Sequence, residues 1–188
     1  MYNIQRGNKR VLVIHPQDSS TNFLRGVYKN LDNINLITGG VSRLMLREMI
    51  KTHDQVMMMG HGSDRGLMGM GQFPGSHFWV IDDTFKDILS EKKNSVFIWC
   101  NADGYVDYNQ LRGFYTGMFI SEIAEARMMQ VQADQHQVDK SNHFFCESVS
   151  RMASKSHWSM WAAAKRFYGE LAKINPVAQY NHQRLYVS

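Results

Sequence analysis

Val56-Met57-Met58-Met59-Gly60-His61-Gly62-Ser63 is a short apolar run that ends on a histidine held between two glycines. A continuous apolar run of this length predicts a strand buried on both faces, the kind found inside a parallel sheet. The three consecutive methionines point to opposite faces of such a strand, so they read as core filler and not as a thioether metal site. Two further runs share the pattern: Arg10-Val11-Leu12-Val13-Ile14 and Ser95-Val96-Phe97-Ile98-Trp99-Cys100. With 34–38, they predict a sheet built from strands at 10–14, 34–38, 55–59 and 95–100.

Helical spacing fills the intervals. Helices are expected over Thr21–Leu31, after a Ser42 cap (Leu44, Met45, Met49 and Ile50 on one face), and over Phe85–Leu89 behind Asp82-Asp83-Thr84. Others are expected from Ser121-Glu122 through Arg127, from Asn142, and from His157 to about Gly169. Gly66–Gly71 and Phe78–Ile81, joined through Gln72-Phe73-Pro74-Gly75, read as a hairpin. Met118–Ile120 and Met129–Ala133 read as further strands, and Tyr180–Val187 as an edge strand. Strands alternating with helices argue for an α/β fold with a mainly parallel central sheet.

The 188 residues carry 44% hydrophobic and 20% charged side chains and a net charge of +4, the balance of one globular domain spanning 1–188. No apolar run reaches the ~18 residues of a membrane span, and the first residues lack the apolar core of a signal peptide. Two cysteines, Cys100 and Cys146, are too few for a disulfide framework. The expected location is therefore the cytoplasm. The basic excess is small and without an Arg-rich arm, so no nucleic-acid partner and no membrane partner is expected. The sequence assigns no oligomeric state.

Gly60, Gly62 and Gly66 invite a nucleotide-binding reading, but the fingerprint needs glycine where Arg65 stands, and no Walker lysine follows. A Gly-x-Ser-x-Gly elbow is absent. The eight histidines (15, 53, 61, 77, 136, 143, 157, 182) form no zinc-ligand spacing, so neither metal nor cofactor is expected. His15 and His77 are open candidates for neighbours of His61. The remaining pair is His61 and Cys100, both at carboxyl ends of predicted strands, where sites of open parallel sheets collect. A cysteine nucleophile needs a base within reach. A lone Cys and a lone His, taken by themselves, more often pack than react. Cys146 shares helical spacing with Val149 and Ala153, a core face.

The two motifs together, apolar strand–Gly60-His61-Gly62 and apolar strand–Cys100, resemble those of the caspase-like cysteine peptidases of clan CD. The order of elements follows the resemblance from about Lys9 to Ser154. It implies a three-layer α/β sandwich of the caspase-like type. It further implies Cys100 as nucleophile, His61 as acid and base, and the amides of Gly62 and Cys100 as oxyanion donors. The substrate would be a peptide or protein. Asn101-Ala102 follow the cysteine, where caspases proper carry Arg, Gln or Gly and then Gly. That departure points to a remote relative of the bacterial clostripain, gingipain and CHAT groups. Clan members usually select one side chain before the scissile bond. Asp103, Asp107, Asp64 and Glu122 tilt the expectation towards Arg or Lys, although Glu122 and Asp107 singly read as ordinary first-turn and loop acids. Arg65 and Arg112 would reverse that sign if they lined the pocket. The alternatives are a catalytically inactive caspase-fold binding or scaffold protein and, third, a nucleotide-binding α/β module.

Overall fold

The structure is a computed structural model that describes residues 9–69, 71–74 and 78–188. Met70, Gly75 and His77, invoked above for the methionine clusters, the hairpin loop and the neighbourhood of His61, lie outside the described residues. The strands are β1 (Val11–Ile14), β2 (Ile34–Ile37), β3 (Gln55–Met59), β4 (Gly62–Ser63), β5 (Gly66–Met68), β6 (Trp79–Ile81), β7 (Ser95–Ile98), β8 (Phe114–Thr116) and β9 (Leu185–Val187). Among the described residues, six of them form one sheet in the order β2-β1-β3-β7-β8-β9. The first five are parallel and β9 runs antiparallel to β8. β4, β5 and β6 make a small antiparallel sheet beside it. This α/β sheet is the predicted one, closed at one edge by a reversed strand. Flavodoxin-like sheets share the order of its first five strands.

The helices are α1 (Arg25–Tyr28), α2 (Arg43–Thr52), α3 (Lys86–Ser90), α4 (Ala102–Asn109), α5 (Ile123–Met128), α6 (Gln135–Ser150), α7 (His157–Ala163), α8 (Gly169–Ala172) and α9 (Pro176–Gln183). They lie against both faces of the sheet, the arrangement of a three-layer sandwich. Val11, Val13, Met57, Met59, Val96 and Ile98 pack with α1 and α6–α9. Leu12, Ile14, Val56, Met58, Phe97 and Trp99 pack with α2, α3, α4 and the small sheet. Strand alternation divides the methionine run between the two cores, as expected. Each fully buried side chain of this size contributes about 1.5–3 kcal/mol of burial free energy. Cys146 lies in the first core with Val149 and Ala153. Among the described residues no helix is long and apolar enough to cross a membrane.

Several elements differ from the expected ones. The helix over Thr21–Leu31 is a 3₁₀ turn, Asn22–Leu24, running into the four residues of α1. In α2 the Ser42 hydroxyl does accept from Met45 N. The buried residues, however, are Leu46 and Ile50, while Leu44 and Met45 are exposed. Ile50 and Met49 of the expected face do meet the second core, and Leu46 takes the place of Leu44 and Met45 in the first turn. The fifth parallel strand is Phe114–Thr116, not Met118–Ile120. Met129–Ala133 is not a strand. Its alternating apolar residues Met129, Val131 and Ala133 pack on a third, small core around Ile120, Ala126, Val138 and Val177. The helix expected from Asn142 starts at Gln135, because Asp134 and Gln137 form a reciprocal capping box. Tyr180–Gln183 is helical, and only Leu185–Val187 reaches the sheet edge.

Candidate active site

The crossovers leave β1 and β3 in opposite directions, to β2 on one side and β7 on the other, so a crevice opens above their carboxyl ends. Three loops meet there: the segment after β1 with Asp18 and Ser20, Gly60-His61-Gly62 after β3, and Trp99-Cys100 after β7. Gly60 N donates to Ile98 O at 3.1 Å, carrying the parallel ladder past β3 and setting the last two loops side by side. Gly60 sits at φ 145°, which favours glycine. After Cys100 the chain turns sharply through Asn101 at φ 61° into α4. Asparagine is one of the few side chains that tolerates this conformation.

Trp99 is the wedge between the loops. It is buried, and its indole Nε1 donates to Ser63 O at 2.9 Å. A Cβ on residue 62 would stand 2.2 Å from Trp99 Cδ1 and 2.5 Å from Gly66 O. That close approach accounts for Gly62.

His61 Nε2 lies 2.6 Å from Ser20 Oγ, and Ser20 Oγ lies 2.6 Å from Asp18 Oδ1. Asp18 Oδ1 also accepts from Ser20 N at 2.9 Å. The Ser20 hydrogen bonds hold the Asp18 carboxyl below its ordinary range, so it is ionised and can only accept. Ser20 has one hydroxyl proton and must give it to Asp18. His61 must then donate from Nε2, which leaves the lone pair on Nδ1. A nitrogen NMR spectrum of His61 is expected to show the Nε2–H tautomer, and Ser20→Ala is expected to lose that preference. An Nδ1–H signal in the unaltered chain would refute the assignment.

Cys100 Sγ donates weakly to Phe119 O at 3.4 Å and lies 3.9 Å from Glu125 Oε1. Burial first, and the Glu125 charge second, push the thiol up to about 11. It is protonated at neutral pH and acts as a nucleophile only when a base removes the proton. Glu125 is itself fixed, its Oε2 accepting from Ser121 N, Ser121 Oγ and Glu122 N at 2.7–3.0 Å. His61, Cys100, Thr21, Phe119 and Ser121 line one cavity of about 20 Å³, room for about one water.

His15, at the end of β1, is buried against Tyr28 OH (2.9 Å from Nδ1) and Thr21 Oγ1 (3.2 Å from Nε2). Burial, then the Arg25 charge, lowers its pKa from 6.5 to about 4. Between those values the unfolded chain binds more protons, so this stability is complete above pH 6.5 and lost as pH falls towards 4. The loss is roughly 3 kcal/mol, and His157 and His182, also lowered by burial, add in the same direction. Urea midpoints between pH 7 and 4.5 are expected to fall for the unaltered chain and to fall less for His15→Gln. Equal slopes would refute this.

Of the residues expected from sequence, His61 and Cys100 come together in one cavity. Glu122 lines an adjoining groove. Asp103, in the first turn of α4 beside Gly117, lines neither, and nor does Asp107. Asp64 and Arg65 line a separate pocket of about 370 Å³ with Tyr105 and Tyr108. Arg112 lies with Lys93 and Trp158 in another. Sequence reading missed Asp18, Ser20 and Glu125. For the first two the available signal was a polar loop at the carboxyl end of a buried strand. For Glu125 it was an acid at the third position of a helix opened by Glu122. Among the described residues no three His, Cys, Asp or Glu side chains converge as metal ligands. Compared with family models, curated proteins and solved structures, the chain matches none.

Proposed function

We propose that the chain is a cysteine endopeptidase of the caspase-like type, with Cys100 as nucleophile and His61 as base and acid. The observation that carries the reading is the shared cavity. The two side chains stand on neighbouring loops at the carboxyl ends of β3 and β7 and line one cavity, and Ser20 and Asp18 leave His61 Nδ1 as the free lone pair. The caspase-like assignment of the sandwich rests on the same two positions.

In the reaction, Nδ1 takes the thiol proton as Sγ bonds to the scissile carbonyl carbon. The amides of Gly62 and Cys100 hold the oxyanion. Collapse breaks the C–N bond, and Nδ1–H passes its proton to the departing amine. A water molecule then gives a proton to Nδ1, attacks the thioester and frees the acid, and the proton returns to sulfur. Because the resting thiol is protonated, His61 works as a general base and not as the partner of a preformed thiolate.

A second reading, an inactive caspase-fold scaffold, is favoured by one observation: Cys100 faces the fixed Glu125 carboxylate, which opposes thiolate. For the nucleotide reading, Gly66 opens β5 of a small antiparallel sheet and no phosphate-cradling helix follows it. Incubating the protein with a peptide library and sequencing the products by mass spectrometry separates the first two. New termini that vanish in Cys100→Ala support the peptidase. Their absence with the unaltered chain overturns it.

A further inference from the structure

Cys100 Sγ has both of its partners on one stretch of chain, residues 119–125, and neither is His61. Phe119 O lies 3.4 Å from the sulfur and Glu125 Oε1 3.9 Å. A thiol has a single proton to give. At rest these acceptors receive it, and not the imidazole that lines the same cavity. The reaction proposed above needs that proton at His61 Nδ1.

The two acceptors are built into a fixed frame. The buried Asn181 accepts from Ile120 N and donates to Ile120 O, both at 2.8 Å, and so pins the backbone next to Phe119. Asn142 Nδ2 donates to Ser121 O at 2.8 Å. Glu125 Oε2 accepts from Glu122 N, the bond a capping box requires, and from Ser121 N and Ser121 Oγ besides. With Oε2 so occupied, Oε1 is the oxygen left to face the sulfur. Of the charged or titratable groups around Cys100, His61 reaches the cavity from the loop after β3, with Asp18 behind it through Ser20. Glu125, from α5, is the one that touches Sγ.

We infer that Glu125 is a positioning residue of the reaction: together with Phe119 O, it holds the Cys100 thiol proton off His61 in the resting chain. The word reaction rests on the peptidase reading above, but the hold itself does not. To react, the S–H turns about the Cβ–Sγ bond towards Nδ1. No covalent bond changes until sulfur bonds to the carbonyl carbon and Nδ1 takes the proton. The carboxylate also opposes the charge of a free thiolate, so the sulfur stays unreactive towards stray electrophiles until the imidazole acts.

The test follows iodoacetamide labelling of Cys100 by mass spectrometry from pH 7 to pH 11. Glu125→Gln keeps an oxygen for the donors at the start of α5 and removes the charge. Its rate profile is expected to shift to lower pH, with the rate at pH 8 rising about 3–10-fold, because the gain in thiolate is partly offset by its lower nucleophilicity. Glu122→Gln removes the same charge three residues earlier and is expected to leave the midpoint in place. A rate raised equally at every pH, which mere exposure of the thiol would give, or equal shifts in both variants, overturns the hold. So does a midpoint in the unaltered chain at or below that of a free thiol, about 8.5, a measurement that needs no variant. A shift confined to Glu125→Gln supports the hold even if no peptide is cut, an outcome that would overturn only the peptidase. Cys100-dependent cleavage with an unmoved midpoint in Glu125→Gln overturns the hold and leaves the peptidase standing.

Discussion

Cys100→Ala is expected to lower kcat/KM on any peptide that the unaltered chain cleaves by on the order of 10⁴–10⁶-fold, since no other group replaces the attacking sulfur. His61→Ala is expected to cost about 10²–10⁴-fold, the contribution of proton transfer alone. Neither change is expected to unfold the chain, because both side chains are partly exposed at loops and Cys100 only packs against the margin of the first core. The thiol chemistry gives a second readout. Cys100, pushed up to about 11, and Cys146, pushed up to about 12 and buried, differ in access as well as in acidity. Iodoacetamide is expected to modify Cys100 first in the folded protein, with a rate that climbs from pH 9 to pH 11 as thiolate forms. Residual cleavage by Cys100→Ala at the level of the unaltered chain would end the mechanism.

Gly62→Ala is expected to be the most damaging single methyl in the crevice. The new Cβ would meet Trp99 Cδ1 at 2.2 Å and the Gly66 carbonyl at 2.5 Å. Trp99 cannot retreat, being buried against Phe97 and Tyr105 and tied to Ser63 O. Overpacking of this kind costs about 1–3 kcal/mol and more where backbone must move. Gly40→Ala is the control: φ is +72° but nothing lies within 4 Å of the added carbon, so only the backbone penalty of about 1–2 kcal/mol applies. Chemical denaturation of both is expected to show Gly62→Ala as the less stable. The reverse order would mean that Trp99 yields freely. Because Trp99 precedes Cys100, the same variant is also expected to displace the thiol.

How much of this was legible in sequence depended on whether one segment carried the information. The ends of β3 and β7 were readable, because an uninterrupted apolar run followed by Gly-His-Gly or by Trp-Cys marks both the strand and its exit. So was the division of Met57, Met58 and Met59 between two cores, which needs only the pleat. Asp82 as a cap was readable too; its Oδ1 accepts from Thr84 N at 3.1 Å. The Ser20–His61 bond was not, because it joins loops 41 residues apart and depends on β1 lying beside β3. Two misses were of another kind. Met129-Gln130-Val131-Gln132-Ala133 alternates as a strand does, yet its apolar side chains face a small helical core with no strand to pair with. Phe114–Thr116 is three residues long, too short to show a period. Asp134 and Gln137 did carry a helix-start signal, overlooked because the apolar face of α6 begins later.

The methionines of β3 have a consequence for how the crevice keeps its shape over evolutionary time. Met57, Met58 and Met59 are fully buried, and their unbranched thioethers reach both cores from the strand that ends at His61. A substitution in either helical layer changes the space against that strand, and a thioether takes up the change by turning about its own bonds. A β-branched strand would pass the same change into the backbone. The central strand thus works as a cushion. The layers can drift in sequence while the imidazole at its end holds station opposite the thiol.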